Sequence, residues 1–255
     1  MARADWRSAS AYEDLRPLDA PAFAYEFLLR NPDFLSDHAA WRAAVESEHS
    51  IPSRPRYSLG AGGDDFERNL NPARHAALWT VQTLPSVVTL TEGPDGLADP
   101  RFGLHARSLQ SILTVEEEDQ VVDLRGAQLR LHRENKVGAA VAVLLPLDQL
   151  FDIRAAAALR LWRALTGRTP GPDLGALTPE RRNRLILALR ALDGRLERAT
   201  YPEIAAVLFD TAPISKRDWI SHELRDQTGR IVRLGFSMMR GGYRRLLLHP
   251  YRRRV

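Results

Sequence analysis

Two helix starts lie close together in the C-terminal third of the chain, LTPERRNRLILALRALDGRLE from Leu177 and ATYPEIAAVLF from Ala199. Each opens on a threonine whose hydroxyl can accept a bond from an orphan backbone amide. Each carries a proline in its first turn, where the missing N–H costs nothing. Glu203 follows Thr200 at the spacing of a capping box. Leu185, Leu189, Leu192 and Leu196 recur on one face of the first helix, the pattern of a side packed on a core. Ile204, Ala205, Val207 and Leu208 give the second an apolar face, and the small Ala205 and Ala206 let another helix approach closely. Asp210, Thr211 and Pro213 stop it within about three turns. A short, sharply capped helix of this kind suits the first helix of a helix-turn-helix pair, and it suits an ordinary helical bundle equally. The connection from Asp210 to Asp218 exceeds the roughly 3–4-residue turn of the simple motif, so a DNA-binding reading requires a variant.

The next stretch favours DNA. Trp219 to Arg240 is predicted as one helix, with Ile220, Leu224, Ile231, Leu234 and Met238 forming an apolar stripe against the two preceding helices. Ser221, His222, Arg225, Asp226, Gly229, Arg230 and Arg233 then point elsewhere. A recognition helix needs such a face, because its leading residues reach base edges in the major groove and arginine binds guanine bidentately. Lys216 and Arg217 stand just before it for phosphate contact. Arg240, Arg244 and Arg245 flank Gly241-Gly242, and Arg252 to Arg254 end the chain. From Ala176 onward there are 17 Lys+Arg against 8 Asp+Glu, a net of +9, whereas the rest of the chain nets −5. Such asymmetry points to an anionic partner, most often nucleic acid. The plainer alternative is a solvated basic face on a bundle helix.

The remaining chain reads as α+β, mainly α. Residues 1–45 form a short helical unit in which Leu15, Leu18, Phe23, Phe27, Leu28 and Phe34 supply core, with turns at Asp19-Ala20-Pro21 and Asn31-Pro32. Residues 50–149 read as a small β-containing middle module. SIPSRP and LGAGGDD are loops, and LNPARHAALW is a helix. PSVVTLTEGPDG is a strand and turn, and further strands lie at Val121–Leu124, Gln128–His132 and Ala139–Leu145. Residues 150–255 form the third unit. There LFDIRAAAALRLWRALTG makes a helix ending at Gly167, and the Pro/Gly linker RTPGPDLGA follows.

Enzyme chemistry finds no support. With no cysteine, disulfides, thiolate zinc sites and cysteine nucleophiles are excluded. LGAGGDD lacks the phosphate-loop and dinucleotide fingerprints. The acidic run Glu116–Asp119 has no matching histidine pair, and His132 with Glu134 lacks the cysteines of a deaminase site. No cofactor, metal or membrane contact is expected. The N-terminus has no apolar h-region and VGAAVAVLLPL is too short to span a bilayer, so a cytoplasmic, nucleoid-associated protein is expected.

The runs RRNRLILALRALDGRLERATYPEIAAVLFD and DWISHELRDQTGRIVRLGFSMMRGGYRRLL resemble a proteobacterial helix-turn-helix-variant family. That family occurs in the excision activator of integrative and conjugative elements and in its small antiactivator partner. AYEDLRPLDAPAFAYEFLLRNPDF, with Trp6 before it, resembles the transcriptional regulator-like domain that often precedes it. The resemblance covers about residues 5–40 and 150–248. It implies a DNA-binding activator of excision or conjugative transfer genes, with Arg225, Arg230 and Arg233 on the recognition helix and Gly241, Gly242 and Tyr243 in the turn after it. Double-stranded DNA is the implied partner, with RNA polymerase or an antiactivator protein as further ones. The same family admits a protein-binding antiactivator or adapter without specific DNA contact, and both roles remain open at this point.

Overall fold

The computed structural model describes residues 4–46, 79–93, 119–134 and 141–249. SIPSRP, LGAGGDD, residues 70–78 of LNPARHAALW, residues 94–96 of PSVVTLTEGPDG, Glu116 to Glu118, residues 139–140 of the last predicted strand and Arg252 to Arg254 lie outside those residues. The chain divides into two compact units. One joins the described part of Met1–Ile51 to Leu177–Leu246, and the other holds the described part of Ala76–Ala176 with the residues that follow Leu246.

In chain order, a 3-10 turn at Ser10–Leu15 precedes α1 (Ala20–Leu28) and α2 (Pro32–Glu46). Strands β1 (Val88–Glu92), β2 (Asp119–Leu124), β3 (Ala127–Arg133) and β4 (Val141–Leu144) follow, then α3 (Phe151–Leu165). The last part holds α4 (Pro179–Leu196), α5 (Tyr201–Leu208), the single turn α6 (Lys216–Trp219), α7 (Leu224–Ser237), a π-turn at Met238–Gly242 and α8 (Arg244–Leu247). The fold is α+β and mainly α, as expected.

The sheet runs in the order β2-β3-β1-β4. Arg125 and Gly126 both have positive φ, 55° and 73°, and close a two-residue hairpin between Leu124 and Ala127, the turn whose twist matches its strands. β1 lies parallel to β3 and antiparallel to β4. Val88, Leu90, Leu129 and Leu131 from the sheet meet Ala157, Leu161 and Ala164 of α3 in one apolar cluster. Thus the helix that opens residues 150–255 packs on the strands.

The other unit is built around α4. Thr178 caps it by accepting from the Arg181 amide, and Leu185, Leu189 and Leu192 are buried on the predicted face. α5 carries the complete capping box, with the Thr200 amide donating to Glu203 at 2.7 Å. Ile204 and Ala205 are fully buried, and burying an isoleucine of this kind stabilises by roughly 1.5–3 kcal/mol. α4, α5 and α7 pack against one another pairwise. Gly235 permits a close approach of α7 to α4, since a Cβ there would stand 2.6 Å from the Ala188 carbonyl oxygen.

The N-terminal helices belong to this same unit. Phe23, Phe27 and Phe34 are fully buried, as predicted for core. Asp19 caps α1, with Pro21 in the first turn. Arg30 donates through Nε and Nη2 to the two oxygens of Asp193, both at 2.7 Å. Tyr12 donates to the same carboxylate at 2.7 Å, and Glu26 takes a further bond from Arg30. Burial opposes the charge on Arg30, but the bonds and charge of Asp193 and Glu26 outweigh it and hold its pKa above the usual arginine range. Trp6 lies against Gly194, where a Cβ would meet the indole at 3.0 Å, and its Nε1 donates to Glu197.

Candidate nucleic-acid interface

The single helix predicted from Trp219 to Arg240 is interrupted. α6 ends at Trp219, and α7 begins at Leu224. Between them the amides of Ile220, Ser221 and His222 bond three residues back, to Arg217, Asp218 and Trp219, so the chain winds more tightly there than an α-helix. Ser215 starts α6 by accepting from the Asp218 amide at 3.2 Å. Trp219 and His222 stack at 5.9 Å, and His222 Nδ1 accepts from the Leu224 amide.

This interruption corrects the predicted stripe. Ile220 is 70% exposed rather than packed inside. Gly229, placed outward by the sequence pattern, is buried together with Thr228, Ile231, Val232 and Gly235. The tight segment before Leu224 puts Ile220 out of phase with α7, and within α7 the buried face runs through Thr228, Gly229 and Gly235, which a count of apolar side chains passes over. Leu224 and Leu234 are half-buried, while Met238 is buried as expected.

The outward face still gathers the predicted residues. Asp226, Arg230, Arg233 and Ser237 fall at helical spacing and are exposed, with Arg225 beside them. Lys216, Arg217 and Ser221 are exposed before α7, and His222 is half-buried. Arg240, Arg244 and Arg245 are exposed after it. Gln227 is also exposed in the first turn of α7, and the sequence reading missed it. Its place three residues before Arg230 was the available signal, since residues so spaced share a helix face.

Local geometry gives these arginines different roles. Arg225 donates from Nη1 to the Ile220 carbonyl at 2.7 Å, bracing the tight segment. Arg233 folds back over Gly229, its Nη1 3.3 Å from where a Cβ would stand. Arg240 lies over the Phe236 ring at 5.2 Å and Arg244 over Tyr243 at 5.6 Å. Among the described residues, Lys216, Arg217, Arg225, Arg230, Arg233, Arg240 and Arg245 form no ion pair. Their charge is therefore not cancelled by a contacting carboxylate, and the surface field favours an anion.

A kink separates α7 from the last arginines. Gly241 has φ 114°, a conformation that favours glycine, and a Cβ on Gly242 would stand 2.6 Å from the Ser237 carbonyl oxygen. Both glycines are thus required for the path the chain takes. Tyr243 is fully buried beneath it, and that burial raises the pKa of its phenol.

Two family models match parts of the chain. Residues 144–248 match the family model described as "T6SS, Transcription factor, DNA binding domain". Residues 5–56 match the one described as "Proteobacterial transcriptional regulator-like domain". No curated protein matches the chain. The two family matches indicate a DNA-binding transcriptional regulator. No helix among the described residues is long and apolar enough to cross a membrane.

Proposed function

We propose that the protein binds double-stranded DNA with α7 as its reading helix and activates genes of a transfer or excision apparatus of a mobile element. The observation that carries the DNA reading is the exposed Gln227, Arg230 and Arg233, whose spacing puts them on one side of α7, together with the exposed Arg225, Lys216 and Arg217 at and before its start. The match over residues 144–248 supports it. In this reading α4, α5 and α7 form the helix-turn-helix variant, and α6 occupies its lengthened turn. Arg230, Arg233, Gln227 and Asp226 meet base edges, since arginine pairs with guanine and glutamine with adenine. Lys216, Arg217, Ser221, His222, Arg240, Arg244 and Arg245 meet phosphates, which fix register without reading sequence. Arg225 serves both the Ile220 carbonyl and the DNA.

The mobile-element target rests on the family resemblance of the C-terminal runs. The matched family's own description concerns T6SS transcription, which offers secretion genes as the competing target. RNA polymerase is the partner that activation requires. The protein-binding antiactivator or adapter is the second reading, and the exposed Ile220 is the observation that favours it.

The test is selection of duplexes from a random-sequence pool by the full chain, followed by placing the recovered sequence upstream of a reporter gene. Enrichment of a common sequence and raised reporter output support the proposal. A pool that stays random, with an unresponsive reporter, sinks it and leaves the adapter reading.

A further inference from the structure

The π-turn after α7 leaves one carbonyl without its helical donor. In a continuous helix the Met239 carbonyl would accept from the Tyr243 amide. That amide instead bonds the Met238 carbonyl at 3.1 Å. The Met239 oxygen is taken up from far away in sequence, by the Asn31 side-chain amide at 3.0 Å in a buried contact. The other end of the same side chain accepts from the Asp33 and Phe34 amides, at 2.8 and 3.3 Å, and so caps α2. Asn31 itself is 6% exposed. A buried carbonyl left unpaired costs the desolvation of that group, so the kinked path depends on a donor at this place. Cys, Ser or Thr at position 31 would be too short to span both partners.

We infer that Asn31 is a positioning residue for DNA binding: by bonding the Met239 carbonyl it holds the kink that sets where Arg240, Arg244 and Arg245 stand. The inference rests on the DNA reading proposed above. It gives the N-terminal helices a task in the contact made by the C-terminal ones. Residues of α1 and α2 reach no nucleic acid in this account. They fix the direction in which the chain leaves α7, and with it the number of phosphates the trailing arginines neutralise. Gly241 and Gly242 permit the bend, and Asn31 selects it.

The test is a salt titration of the full chain on a 30-base-pair duplex of scrambled sequence, read by fluorescence anisotropy. The slope of log affinity against log salt counts neutralised phosphates, at about 0.9 for each. Asn31→Ser keeps an oxygen that can cap α2 and removes the donor to Met239. It is expected to shallow the slope by one to two phosphates' worth, roughly three- to twelvefold less affinity lost over a fourfold rise in salt. Gly241→Ala, which strains the same kink from the other side, should do the same. In an Arg244→Ala/Arg245→Ala background Asn31→Ser should change the slope little further. A role in stability alone would lower the melting temperature and the active fraction while leaving the slope of the folded protein unchanged, and that result overturns the inference. An additive loss in the double-arginine background overturns it as well. Wild-type protein that binds no duplex at all removes the DNA reading itself, and the inference with it.

Discussion

Glu203 shows how much one side chain contributes here and under what conditions. Its carboxylate is held below the ordinary value of 4.5, first by the bond from the Thr200 backbone amide and then by the Thr200 hydroxyl. A depressed carboxylate pKa stabilises the fold above the unfolded value, and that contribution is lost as pH falls through the lower folded value. Urea unfolding of wild type and Glu203→Gln should therefore differ by a constant amount between about pH 7 and pH 5, and the gap should close below about pH 4. A gap that widens in acid would contradict the capping role. Ile220 and Ile231 provide a second comparison, because one is 70% exposed and the other 8%. Ile231→Ala should cost about 2–5 kcal/mol by chemical denaturation, and Ile220→Ser within about 0.5 kcal/mol. The capping box was legible in four letters, since both its bonds are local. Ile220 was misread because hydrophobic period assumes an unbroken helix, and nothing apolar marks where the winding tightens.

Between elements, the junction of α1 with α4 holds a buried charge network. The Arg30 side chain is 10% exposed and that of Asp193 is 0%. Arg30→Met leaves the buried carboxylates of Asp193 and Glu26 without their cation, and should cost about 3–5 kcal/mol. Arg30→Met with both Asp193→Leu and Glu26→Gln should recover most of that loss, because no unpaired carboxylate then remains buried. Equal destabilisation by the single and triple variants would show that packing, not charge, dominates the junction. The α4–α7 approach is steric instead. Gly235→Ala puts a methyl 2.6 Å from the Ala188 carbonyl, so the helices must separate, at a cost of roughly 1–3 kcal/mol in thermal or urea unfolding. The individual helices were readable from caps and periodicity. This junction was not, because Arg30 and Asp193 lie 163 residues apart and each alone resembles a surface charge.

At the scale of the molecule, the sequence pointed to strands in the middle and helices at both ends, and the structure has both. Alternation made the hairpin visible, while the parallel pairing of β1 with β3 left no local trace. The concentration of positive charge after Ala176 indicated which part meets an anion. The contribution of the N-terminal helices to that part was hidden, since it runs through Asn31 and a main-chain carbonyl. If α7 reads bases, its outward arginines must discriminate among sequences as well as add affinity. The most direct test measures wild type and Arg233→Ala on a recovered duplex and on its single-base-pair variants, near physiological salt. The account predicts a loss of about 1–3 kcal/mol on the recovered duplex, with discrimination relaxed at one base pair and kept at the others. A uniform loss across every duplex, or no loss, would contradict it.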